Sequence, residues 1–362
     1  MAVKIVRQPR KIAIIGAPTS AAVPKPGHER APAALRAAGL VERLRAVGFE
    51  VTDMGDVKTQ LSQPDDEHPR ARNIPPLITA LNELRPHVEV AVKSGALPLI
   101  LGGDCSIVLA TVAGARRYYR HVGLIYVDRD ADMNVPATTP SGCVDGMVIS
   151  HLIGRGAPEL IRFWGEPPLV REPDIVLFGV DRLDAPEKLA LERTPIRRYL
   201  GEDIRRTGVT AAAESAVSRM QGGQHEFVLH LDMDAIASND FSAASAAGTD
   251  GGGMSLADTQ KAMAIFAARP NMVALEVSTY NPTLDPDGSG AKVLVELLVG
   301  ILTVRWAALE TPAELATEAN NPVSAPALTA PQVEPPTELS ATTKEETPEP
   351  TEPQDTSESS DA

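Results

Sequence analysis

The stretch LIYVDRDADMN (residues 124–134) runs from an apolar segment straight into three aspartates at alternate positions, Asp128, Asp130 and Asp132. Side chains at i, i+2 and i+4 of an extended chain point the same way, so the three carboxylates are expected to converge. Converging carboxylates repel one another unless a cation lies between them or water surrounds them. The segment is therefore read as a strand end carrying a candidate metal site.

The pattern recurs along the chain. KIAIIGAP, EVTDMGDV, ALPLILGGD, DIVLFGVDR, EFVLHLDMDAI and NMVALEVSTYNP are further strand-like runs. They alternate with helical patterns such as APAALRAAGLVERLRAVG, 75–94 and 290–309. Apolar strands alternating with helices indicate an α/β fold whose parallel sheet is covered on both faces. Seven or eight strands fit either an open doubly wound sheet or a closed barrel, and no internal repeat is evident. The polar residues that follow the strands, in GGDCS, DRDADMN, GVDRLD, LDMDA and EVSTYNP, lie at their carboxyl ends, the edge where parallel α/β folds bind ligands. Asp104 taken alone reads equally well as a helix N-cap. Asp128, Asp130, Asp132, Asp232 and Asp234 together are a different matter, because two D-x-D pairs can supply bridging and terminal oxygens to a two-metal cluster.

Composition narrows the alternatives. The net charge of −14 is unevenly placed: residues 311–362 hold eleven acids against one base, Lys344, and so −10 of it, leaving the other 310 residues near −4. That segment is rich in Pro, Thr and Ser and poor in large apolar side chains, so it is expected to be a disordered acidic tail beyond an α/β domain at 1–310. Nothing in the charge pattern suits nucleic acid. The apolar run AKVLVELLVGILTVRWAAL carries Lys292, Glu296 and Arg305, which suits a buried helix better than a membrane span. Two cysteines, Cys105 and Cys143, are too few for a disulfide framework, and without a signal-peptide pattern at the amino terminus the default compartment is the cytoplasm.

These motifs, in this order, resemble the arginase and agmatinase (ureohydrolase) family from about Ile12 to Leu309. APAALRAAGLVERLRAVGFEVTDMGDV, RYLGEDIRRTGV and GGGMSLAD resemble further family segments, and EVSTYNPTLDPDG is most like a less characterised arginase-like branch. The resemblance implies a three-layer α/β/α fold with a central, mostly parallel sheet. It also implies a binuclear manganese site, hydrolysis of a C–N bond in a small guanidino or amidino compound, and homo-oligomers of the trimeric or hexameric kind common in the family.

Carried over residue by residue, the resemblance implies metal ligands at Cys105, Asp128, Asp130, Asp132, Asp232 and Asp234. Two of these depart from the pattern: Cys105 stands where the family's G-G-D-H-S has histidine, and Asp130 where its D-x-H-x-D has histidine. Asp145 in SGCVDG replaces the histidine thought to shuttle protons, and Thr279 in STYNP replaces a glutamate that grips the guanidinium. Asn134, Ser141 and Asp184 match substrate-contacting positions. Five carboxylates plus a thiol are more negative than the family set. Oxygen donors favour Mn²⁺, Mg²⁺ or Ca²⁺, while the sulfur favours softer ions.

Three readings follow: a C–N hydrolase with altered ligands, a catalytically inactive arginase-like protein with a binding or regulatory role, or a redox module pairing Cys105 with Cys143. Of the histidines, His230 shares a face with Asp232 but reads as a core residue, His28 as a solvated loop residue, and His151 as a packing residue on a helix.

Overall fold

A computed structural model describes residues 5–222, 225–244 and 252–310. The acidic tail at 311–362 and Gly251 of the GGGMSLAD motif lie outside the described residues. Eight strands form one open sheet: β1 (Lys11–Ala17), β2 (Glu50–Asp56), β3 (Leu97–Gly102), β4 (Val122–Val127), β5 (Ile175–Val180), β6 (Arg197–Leu200), β7 (Glu226–Asp232) and β8 (Met272–Ser278). Their order is β2-β1-β3-β8-β7-β4-β5-β6, and every pairing is parallel. The open sheet is the arrangement found, not the barrel. The strand β6, RRYL, escaped the sequence reading because it is only four residues long, begins with two arginines and shows no apolar run.

The composition of each strand follows its place. Residues of β3, β4, β5 and β8 are buried throughout, as expected of strands covered on both faces. The edge strand β2, EVTDMGD, is largely exposed and charged, which discourages pairing with another chain. One apolar cluster joins one sheet face to helices Ala31–Ala37, Leu40–Val47, Leu256–Ala267 and Ser289–Glu310. A second joins the other face to helices Ile74–Lys93, Val108–Arg116 and Val148–Leu152. The result is the three-layer arrangement. Helix Ser289–Glu310, the apolar run near the carboxyl end, packs its Leu and Ile residues into the first cluster. No helix among the described residues is long and apolar enough to cross a membrane. The buried Arg305 guanidinium donates to the carbonyls of Ala267, Arg269 and Met272, closing the carboxyl end of helix Leu256–Ala267.

Sheet topology decides where chemistry can be placed. The chain builds β3 and β4 first and later inserts β7 and β8 between them, so four adjacent central strands end at one edge. Two glycines make the first of these exits possible. A Cβ on Gly102 would stand 2.6 Å from the Val277 carbonyl oxygen, and one on Gly103 would stand 2.0 Å from that of Thr19. Both contacts involve backbone and have no easy relief. Gly103→Ala is expected to destabilise the protein by about 3 kcal/mol, seen as a lower denaturant midpoint at unchanged m-value.

Candidate metal centre

Each loop leaving the central strands delivers one part of the site. After β3, Asp104 caps the short turn Cys105–Ile107 by accepting from the Ser106 amide, and also accepts from the Ala22 amide at 3.1 Å. The N-cap reading of Asp104 is thus the one the structure bears out, and the cap holds Cys105 at the sheet edge, 4% exposed. After β4, the chain does not continue as a regular strand. Asp128 accepts from the Asp130 amide at 2.7 Å, and Asp132 adopts φ +50. The expectation that the three aspartates share one face of an extended strand is therefore corrected: β4 ends at Val127, and the acids lie on a turning loop. Asp132 turns away to accept from the Tyr126 hydroxyl at 2.5 Å.

Two groups of ligand-capable side chains form at this edge. In the inner group, Cys105, Asp128, His230 and Asp232 each offer an atom within 4.8 Å of the others, and all four are buried. In the outer group, Asp128, Asp130 and Asp234 do the same. Asp128 belongs to both. The Cys105 thiol donates to Asp232 at 2.7 Å and lies 3.5 Å from the Ser278 hydroxyl. The outer group already holds a cation of its own. Arg182 donates through Nε to Asp130 at 2.6 Å and through Nη2 to Asp234 at 2.9 Å, with a further contact from Nη2 to Asp130.

The electrostatics follow from crowding. Burial, then repulsion from Asp232, Asp132, Asp234 and Asp130, pushes the Asp128 carboxyl well above its usual range. Asp234 is raised by burial and by Asp232 and Asp130, with Arg182 opposing. Burial and nearby acids also raise Asp132 and the Cys105 thiol. Hydrogen bonding to Asp130 raises the Arg182 guanidinium, which stays charged. Buried like charges are tolerated when neutralised by protons or by cations. One oxygen of Asp234, Oδ1, is buried without a hydrogen-bond partner. A buried thiol and a mixed S, N, O donor set fit a divalent ion at the inner group. The outer group fits one less well, because Arg182 already spans two of its three acids.

The comparisons with known proteins bear on this arrangement. The model of the arginase family matches residues 10–303. The chain belongs to the arginase family. Arginase of Bacillus caldovelox is 31% identical over 294 residues, spanning 80% of this chain and 97% of that one. Among solved structures, arginase from Bacillus cereus superposes with a TM-score of 0.74 at 30% identity, covering 81% of this chain and 98% of the other. Formimidoylglutamase from Bacillus subtilis, at 17% identity and TM-score 0.67, shares the fold.

Against that arginase frame, the remaining predicted residues divide. Asn134 donates to Asp184 at 2.9 Å, and Asp184 caps helix Ala185–Glu192 in a reciprocal capping box with Glu187. Both side chains are thereby held at the loop following β5. Thr279, at φ +60, donates to Asp232 and accepts from the Met233 amide at 3.1 Å, so its hydroxyl is spent on orienting the D-x-D turn. A β-branched residue with positive φ is strained by about 1–3 kcal/mol, a cost that such bonds offset. Ser141, Cys143 and Asp145 line a pocket of about 550 Å³ with His28, Asn281 and Thr283. Burial and the neighbouring Asp104 raise Asp145 to about 8.

The structure corrects the reading of His28. It is 3% exposed, and neither ring nitrogen has a partner, whereas the sequence suggested a solvated loop. His151 is the packing residue expected, bonded to the Met147 carbonyl and the Ala157 amide. Both cysteines are free. Arg182 was missed altogether, although an arginine two residues beyond a strand end that faces an excess of acids was a usable signal.

The raised acids set a pH dependence. Each binds its proton more tightly in the folded chain than in the unfolded one, so stability is greatest at low pH and falls as pH rises from about 4 through about 8. The metal-free protein is expected to show a lower thermal midpoint at about pH 8 than at about pH 5. A midpoint that rises over that interval would count against proton-neutralised acids.

Proposed function

We propose that the chain is a metal-dependent hydrolase that cleaves a C–N bond in a small amidino or guanidino compound. The observation that carries this reading is a pocket of about 550 Å³ within electrostatic reach of the acid–thiol cluster. Its wall residues His28 and Asp145 both feel the charge of Asp232. Inner-group residues Cys105, Asp128, His230 and Asp232 would hold the ion, with Asp234 alongside. A divalent ion there lowers the pKa of water, which the reaction needs because an amidinium or guanidinium carbon is a poor electrophile.

The chain's own residues supply the rest. Asp145, raised to about 8, is mostly protonated at neutral pH and so can donate to a leaving amine. It thereby takes the role that the family pattern gives to a histidine. His28 is kept neutral by burial and offers an unpaired imidazole on the same wall. Asn281 and Ser141 add polar contacts at the pocket. Thr279 cannot grip a cationic end group as a glutamate would.

A second reading, a non-catalytic ligand-binding protein, draws on one observation: Arg182 lies across Asp130 and Asp234. The assay that separates the two is ammonia and urea release from a panel of guanidino and amidino compounds by metal-reconstituted protein. Turnover of at least one compound supports the hydrolase, and binding without turnover supports the second reading. If the hydrolase reading holds, activity should fall as pH rises through the Asp145 titration, which a bound cation draws below its metal-free value of about 8. Asp145→Asn should lower kcat about 10²-fold and remove that limb of the pH profile.

A further inference from the structure

His230 is set up as few core histidines are. It is fully buried, and its Nδ1 lies 2.6 Å from Glu276 Oε1. The other Glu276 oxygen accepts from the Thr111 hydroxyl at 2.5 Å. The ring stacks on Tyr126 with centroids 4.2 Å apart and planes 15° apart. A carboxylate that accepts from Nδ1–H fixes both the ring and its tautomer, leaving the Nε2 lone pair free. Metal-binding histidines are backed in this way. Nε2 faces the Ser278 hydroxyl at 3.1 Å, and that hydroxyl is 3.5 Å from Cys105. Nε2, which pairs with that hydroxyl, is therefore on the cluster side of the ring.

The outer acids tell the complementary half. Asp130 and Asp234 are bridged by a guanidinium, which supplies the positive charge that a second ion would bring. The inner position thus offers an imidazole and a sulfur, while the outer one contains an internal cation.

We propose that this chain holds one ion, not two, on Cys105, Asp128, His230 and Asp232, and that the ion is of the borderline class (Zn²⁺, Co²⁺ or Fe²⁺) instead of Mn²⁺. Thiolate and imidazole donors select that class over ions that prefer all-oxygen ligation. Four protein donors match the usual coordination number of zinc. Arg182 stands as the fixed counter-charge to the outer acids. Glu276 and Thr111 act through His230 as positioning residues. The inference builds on the metal-dependent reading above but does not require turnover.

The test is a Co²⁺ titration of the full chain after chelator treatment, followed by absorbance, with metal analysis of the loaded protein. A thiolate-to-cobalt charge-transfer band that saturates at one equivalent is expected. Zn²⁺ should displace the cobalt, and excess Mn²⁺ should not. Cys105→Ser should abolish the band. Glu276→Gln should weaken cobalt affinity about 10- to 100-fold while keeping the band, and His230→Gln should weaken it further and alter the visible bands. Arg182→Met should raise the bound stoichiometry from one towards two. Two tightly bound Mn²⁺ ions with no thiolate band would overturn the proposal, as would unchanged cobalt spectra in His230→Gln. Should Cys105→Ser fail to fold, the wild-type band and the His230 variant still decide. A single-ion signature without turnover keeps this inference and rejects the hydrolase, whereas turnover with two Mn²⁺ does the reverse.

Discussion

The arrangement of the carboxyl edge depends on one constraint: five aspartates from two loops are crowded into a buried space where like charges cannot all remain bare. Asp128, Asp232 and Asp234 are each less than one-tenth exposed, and burial is the largest influence on Asp128 and Asp234. Everything around them answers that charge. Arg182 answers it from the loop after β5, the Tyr126 hydroxyl from within β4, the Cys105 thiol from the turn after β3, and Thr279 from just past the end of β8. The insertion of β7 and β8 between β3 and β4 brings these answers within reach of one another. The same parallel topology that gathers these side chains at one edge also makes it electrostatically demanding.

Much of the fold could be read from the sequence because its physics is local. Apolar runs such as LPLILG and VGLIYV are long enough for a strand and lack the alternation of a half-exposed one, so they report a sheet covered on both faces. The edge strand β6 could not be read, since RRYL earns its place by pairing with β5 and not by its composition. Open sheet and barrel look alike at this level because closure is a matter of strand order.

The candidate site was legible in outline and less so in detail. The D-x-D pairs and GGDCS announce that ligands gather at strand ends, but spacing says nothing about which way a side chain turns once a strand has stopped. Asp132 illustrates this, since a positive φ sends it towards Tyr126. Glu276 is the opposite case. It lies within a strand that stays regular, three residues before Thr279, and there it meets His230 and Thr111. The partnership of Arg182 with acids 52 residues away on either side is a long-range fact that no local pattern carries.

Arg182 has a further consequence for what can enter the site. Its side chain ends in a guanidinium, the same chemical group that a guanidino substrate would present to the same acids. The protein therefore carries a tethered competitor, and a tethered group acts at an effective concentration in the millimolar range for a short flexible link. A free guanidino compound has to outbid that resident group for Asp130 and Asp234, whereas a ligand with an uncharged end group does not. Self-occupancy of this kind tunes the site towards ligands that approach from the pocket and leave the outer acids to the chain itself.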